Sequence, residues 1–315
     1  MSTQNIRKLR PDAVGSLEQL RDGLRQFLVG KEELADIILC GVLASGHLLF
    51  EDIPGIGKTT LIKALAKLLG LQISRVQCTS DLLPSDILGV EVFSARQEEF
   101  VFHPGPIFSN FLLVDELNRT SPRTQSALLE AMAEGVITIN RKQYPLPQPF
   151  MVFATQNPSD YLGTYALPES QLDRFTAKVR LWYPVDAQER KIFGAASLNP
   201  LDALPSAELG GHAVIEMQKA AEKIQVSERV VDYVKQVIDR TRNHEALKQG
   251  ISTRGGVIWL RMARARALLY GRDYLIPDDL LALAGPCLSH RLLSRSSGSD
   301  NALILDSILK SIDVE

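Results

Sequence analysis

Cysteine is scarce in this sequence, with Cys40, Cys78 and Cys287 the only three among 315 residues. They lie far apart and form no metal-binding spacing, so a close-paired zinc motif is excluded and free thiols in a reducing compartment are expected. An excess of one charge is also missing. Lys and Arg number 35 against 37 Asp and Glu, a net charge of −2 with a pI near 6.3. A nucleic-acid binder usually carries a basic footprint, and none is seen, although a local basic loop remains open as a phosphate contact. Long apolar runs are absent too. The longest, 37–50, is broken by Gly41, Ser45, Gly46 and His47 and is too short to span a bilayer. The opening MSTQNIRKLR lacks the apolar centre of a signal peptide, so the expected location is cytoplasmic. No repeat or low-complexity tract stands out. What remains is 45% hydrophobic and 23% charged, enough to bury a substantial core in about two domains.

The most informative stretch is EDIPGIGKTT, Glu51 to Thr60. It follows the apolar run Leu48-Leu49-Phe50 and precedes Leu61, Ile62, Leu65, Leu68 and Leu69, which recur at helical spacing. Strand, glycine turn and helix are the context of a phosphate-binding loop. Glycines let the backbone approach the phosphates, and amides at the helix start point at the anion. In this reading Pro54, Gly55, Ile56, Gly57, Lys58, Thr59 and Thr60 surround the phosphates of a nucleoside triphosphate. Lys58 reaches the β and γ phosphates, and the Thr59 hydroxyl binds Mg²⁺. The usual first glycine of the pattern is replaced by Asp52, the least chemically demanding position of the loop.

Along the chain, Leu17 to Leu28 and Glu32 to Ala44 read as amphipathic helices separated by a break at Val29-Gly30. Gln72 to Gln77 reads as a strand. Two hairpins look inserted: Val90 to His103, and Val136 to Tyr144 with the basic tip Arg141-Lys142. That tip faces a partner or is a solvated turn. Between the hairpins, Ser121-Pro122 starts a helix that Gly135 stops. Strands alternating with helices imply an α/β fold with a parallel sheet flanked by helices. From about Pro184 the pattern becomes helical. The expected division is therefore a nucleotide-binding core over 1–183 and a helical lid over 184–315. Asp186-Ala187-Gln188-Glu189 resembles a capping box. Val230, Val231, Val234, Val237 and Ile238 form one predicted apolar face, and Val257, Leu260, Ala263, Ala267 and Leu268 another.

Phe111-Leu112-Leu113-Val114-Asp115-Glu116 is an apolar strand ending in two carboxylates. At the carboxyl edge of a parallel sheet, Asp115 would hold Mg²⁺ and Glu116 would orient or deprotonate the attacking water. Alternatively the pair merely caps the next turn. FMVFATQN, Phe150 to Asn157, is a second such strand. Asn157 then bonds the water or the γ-phosphate if the two strands are neighbours, or its own backbone in an Asn-Pro turn.

Together with the phosphate loop, DELNRTSPRTQSALLEAMAEG and FATQNPSDYLGTYALPESQLDRF resemble the MoxR family of AAA+ ATPases. The resemblance covers most of Val29 to Tyr183 and weakens beyond. It implies Walker A at Asp52 to Thr59, Walker B at Leu112 to Glu116, a sensor-1 role for Asn157 and an arginine finger at Arg174. It extends the nucleotide contacts to Val29 and Gly30, and makes Arg254, in Ser252-Thr253-Arg254, the candidate sensor-2 arginine. The hairpins match the helix-2 and pre-sensor-1 insertions, and the region after 184 matches an all-helical lid. For Arg174 the competing reading is a surface salt bridge with Asp173 or Glu169, and Arg119 and Arg123 are rivals for the interface role. Arg261, Arg264 and Arg266 read as a solvated helix face. The family implies a homo-oligomeric ring, usually a hexamer, that uses ATP and Mg²⁺ to remodel or activate a protein, often one with a von Willebrand A domain. The alternatives are a helicase-like nucleic-acid motor and a magnesium-chelatase-like subunit.

Overall fold

In a computed structural model of the chain, the described residues are 11–25, 28, 32–52, 57–157, 164–181, 201, 204, 209–296 and 300–312. The expected capping box at 186–189, the break at Val29-Gly30 and the predicted boundary at 183/184 fall outside them.

The central sheet has five strands in the order β2-β5-β8-β1-β9. These are β1 (Leu48–Asp52), β2 (Ile73–Gln77), β5 (Phe111–Asp115), β8 (Met151–Gln156) and β9 (Ala177–Leu181). The β1–β8, β5–β8 and β2–β5 pairs are parallel. The interior strands are continuously apolar: Leu48, Leu49, Phe111, Leu112, Leu113 and Met151 to Ala154 are all fully buried. Such runs are expected where both faces of a parallel sheet are covered. Phe153 anchors the layer, with Phe50 stacked at 6.4 Å and Phe111 edge-on at 5.0 Å.

The helices of this layer are α3 (Lys58–Leu69) and α5 (Pro122–Glu134). Their terminations follow the sequence, since Gly70 and Gly135 close them in left-handed conformation. Ser121 caps α5 by accepting the Thr124 amide. A short α4 (Pro84–Leu88), not anticipated, leads into the first inserted hairpin, β3 (Gly89–Ser94) with β4 (Glu99–Pro104). The second is β6 (Val136–Ile139) with β7 (Lys142–Pro145). The hairpins lock together: Glu91 accepts from Asn140 Nδ2 at 2.7 Å and Tyr144 Oη at 3.0 Å, and Phe102 stacks on Tyr144 at 4.1 Å.

The chain forms two compact units. One comprises His47–Arg174 with Arg180–Ile215 and carries β1, β2, β5 and β8. The other comprises Met1–Gly46, Phe175–Val179 and Glu216–Glu315. In this second unit the first two helices group with the C-terminal ones. Those first two are α1 (Pro11–Arg25) and α2 (Glu32–Leu43). After the short α6 (Glu169–Leu172) and α7 (Gly210–Glu222) come α8 (Glu228–Arg242), α9 (Thr253–Leu269), α10 (Pro277–Leu288) and α11 (Asn301–Lys310). α2 packs against α9, and its last carbonyls find donors there: Arg261 Nη2 reaches Ala44 O at 2.6 Å, and Gln218 Nε2 reaches Val42 O at 2.8 Å.

Two faces were assigned imperfectly. Val231 is 47% exposed and Val257 51% exposed, while Tyr233 and Trp259 are buried in their place. Trp259 is accommodated because its indole N–H donates to Leu280 O at 2.9 Å. Arg266 is not solvated. It joins Arg272 around the fully buried Asp279, with Nη–Oδ distances of 2.7 Å for both arginines. Among the described residues no helix is long and apolar enough to cross a membrane.

Candidate nucleotide site

The carboxyl edge of the sheet carries Asp115 and Glu116 at the end of β5 and Asn157 after β8. β1 leads to Gly57, whose φ of +82° only glycine adopts without strain and which starts α3. Pro54, Gly55 and Ile56 lie outside the described residues, as do Val29 and Gly30. Lys58, Thr59 and Thr60 form the first turn of α3. Among the described residues no side chain caps that helix, and its first turn holds no acidic residue. Its leading amides therefore suit an anion.

β5 ends in the buried Asp115, which is followed by Glu116 in left-handed conformation, φ +59°. A non-glycine residue held there is strained by roughly 1–2 kcal/mol. The conformation is over-determined by its neighbours. The Glu116 amide donates to the buried Thr155 hydroxyl at 2.9 Å, and its carbonyl accepts from the Arg119 amide at 2.8 Å. The Glu116 carboxylate is held in turn, because Oε2 accepts from Gln77 Nε2 at 3.1 Å and pairs with Arg119 Nε at 3.1 Å. Asp115 Oδ2 pairs with Arg75 Nε at 2.6 Å. Beside them the Cys78 thiol is pushed up to about 12, by burial first and then by the charges of Asp115 and Glu116. It stays a protonated, unreactive thiol at neutral pH.

Asn157 follows β8, which lies between β5 and β1, so the neighbouring-strand condition set by the sequence is met. Its carbonyl accepts from Asn118 Nδ2 at 3.4 Å. Gln125, buried on α5, directs its amide nitrogen to Leu117 O, Thr120 O and Tyr165 O at 3.2–3.3 Å. It thereby ties the turn after Glu116 to the segment that leads toward Arg174. Arg174 Nη1 donates to Leu129 O at 2.6 Å, a backbone partner on α5 rather than the Asp173 or Glu169 carboxylate. Arg254 is exposed on the first turn of α9, in the other unit.

Arg75, Gln77, Thr155 and Gln125 escaped the sequence reading. The one available signal was that Arg75 and Gln77 lie two apart on β2 and so share a face.

The donor set fits a hard divalent cation. It offers a buried carboxylate and a helix-start hydroxyl, and among the described residues no cluster of three or more His, Cys, Asp or Glu could hold a metal alone. An ion bound here would have to share its shell with nucleotide phosphates and water.

A parallel sheet with Gly57 opening α3 downstream of β1, two carboxylates at the end of β5 and a set of C-terminal helices matches the architecture of the AAA+ class of ATPases. Family comparison agrees. The description "ATPase family associated with various cellular activities (AAA)" matches residues 47–177, and the AAA lid domain matches 239–308. The chain is 38% identical to the chaperone MoxR1 of Mycobacterium tuberculosis, covering 89% of this chain and 76% of that protein. It is 41% identical to YeaC of Bacillus subtilis, covering 92% and 90%. A crystal structure of a candidate ATPase from Cytophaga hutchinsonii superposes with a TM-score of 0.88 at 33% identity, covering 96% and 95%. The chain belongs to the MoxR family of AAA+ ATPases.

Proposed function

We propose that this chain hydrolyses ATP with Mg²⁺ and uses the energy to remodel or activate a protein partner. The observation that carries the reading is the strained, doubly held Glu116 beside Asp115, at the sheet edge where Lys58 and Thr59 begin α3. A turn that only needed a cap has no reason to fix a carboxylate in left-handed backbone.

In this account Lys58 and the amides at the start of α3 bind the phosphates. Thr59 and Asp115 hold Mg²⁺, which supplies charge neutralisation at the transferring phosphoryl group. Glu116 orients and deprotonates water, and Asn157 fixes that water or the γ-phosphate. Glu116 must first leave Gln77 and Arg119, so the arrangement described is a resting one. Arg174 serves the neighbouring subunit of a hexameric ring, leaving Leu129 O to do so, and Arg254 senses the nucleotide from the lid. The paired hairpins move as one body and present Phe93 and Phe100, both more than half exposed, to the partner. The relation to a chaperone favours a protein substrate; the reading places it in the cytoplasm, with a von Willebrand A protein the partner to test first.

The test is affinity capture with Glu116→Gln loaded with ATP. Recovery of a specific protein that ADP releases supports the reading. Enrichment of DNA or RNA that survives moderate salt overturns it in favour of a nucleic-acid motor.

A further inference from the structure

The Asp115 carboxylate is nearly enclosed, its side chain only 9% exposed, and a buried carboxylate without a counter-charge is costly. The chain supplies that charge itself, since Arg75 Nε lies 2.6 Å from Asp115 Oδ2. Arg75 reaches in from β2, one of the two edge strands of the sheet, and half of its side chain stays in solvent. That exposed half gives the guanidinium a path into solvent when it leaves Asp115. Its Nη2 also touches Gln77 Oε1 at 3.3 Å, and Gln77 in turn holds Glu116. One guanidinium thus contacts the carboxylate assigned to the metal and, through Gln77, the carboxylate assigned to the water.

We propose that Arg75 is a resident counter-cation that occupies the metal-facing carboxylate of Asp115 and must be displaced before the divalent ion binds. Arg75 is a positioning residue in this scheme. By competing for Asp115 it lowers the metal affinity of the site, and its departure removes one of the contacts that steady Gln77 against Glu116. Metal loading and release of the water-activating carboxylate are coupled through it. The inference rests on the reading of Asp115 as a metal ligand.

The experiment uses the full chain and mant-ADP, whose dissociation constant is measured in EDTA and in saturating Mg²⁺ for the wild type, Arg75→Gln, Arg75→Lys and Asp115→Asn. Arg75→Gln is expected to tighten the Mg²⁺-dependent value about fivefold, the equivalent of a half-exposed ion pair. Arg75→Lys, which keeps the charge, is expected to stay within about twofold of wild type. If Arg75→Gln leaves the Mg²⁺ value unchanged, or weakens only the EDTA value, Arg75 is a structural pair or a phosphate ligand and the proposal fails. If Asp115→Asn leaves the Mg²⁺ dependence intact, the assignment of Asp115 itself fails, and the proposal with it. Thermal melts in EDTA identify any variant that has lost its fold, and Arg75→Met then repeats the comparison.

Discussion

Replacing Thr155 by valine tests how Glu116 is held. The two side chains have nearly the same shape and both favour a strand, so the change removes one hydroxyl and little else. That hydroxyl is the acceptor for the Glu116 amide at 2.9 Å, and Thr155 is only 1% exposed. A buried donor left without an acceptor costs about 1–3 kcal/mol. Relaxation of the left-handed backbone at Glu116 would return part of its strain, so a net loss of about 1 kcal/mol is expected. Relaxation moves the carboxylate, and a displacement on the order of 1 Å at a reacting group lowers the rate on the order of 10²-fold. The assay pairs urea unfolding with phosphate release. Thr155→Ser keeps the hydroxyl and should retain kcat within about twofold while losing about 1 kcal/mol for the missing methyl. A valine variant with wild-type kcat and stability would refute the claim that this bond positions Glu116.

Other expectations follow from the same geometry. Arg174→Ala should lower kcat by about 10³–10⁵ if the arginine acts across a subunit boundary, with activity rising when it is mixed with a Glu116→Gln variant that still donates its own Arg174; no gain on mixing counts against action in trans. Asp279→Ala leaves Arg266 and Arg272 without their buried partner and should destabilise the helical unit by about 3–5 kcal/mol in urea unfolding. His290 is held well below its ordinary range by burial and then by the Arg291 charge. The native state therefore binds fewer protons than the unfolded one. Stability should be flat above pH ~6.5 and fall below it by up to about 1.4 kcal/mol per pH unit, and His290→Gln should remove that component.

Much of the nucleotide core was legible because local rules and the fold agree there. Apolar runs of strand length, Ser-Pro helix starts and glycine stops each act over a few residues, and they placed β1, β5, β8 and α5 correctly. Lys58, Thr59, Asp115 and Glu116 stood out because their chemistry and spacing are rare in combination. Arg75, Gln77, Thr155 and Gln125 were invisible for the opposite reason. They are ordinary polar residues whose partners lie about 40 residues away and meet only through sheet order. Val231 and Val257 misled because a valine at helical spacing does not reveal which side of a helix has a neighbour. The grouping of α1 and α2 with the C-terminal helices depends on contacts such as Tyr270 with Asp36, more than 200 residues apart, which no local pattern encodes.

The central claim, that Glu116 activates water for ATP hydrolysis, is met most directly by measuring phosphate release and mant-ATP binding for wild type and Glu116→Gln side by side. The account predicts turnover by the wild type and, in the variant, at least a ~10²-fold lower rate with unchanged nucleotide affinity. Equal turnover by the two proteins would contradict it.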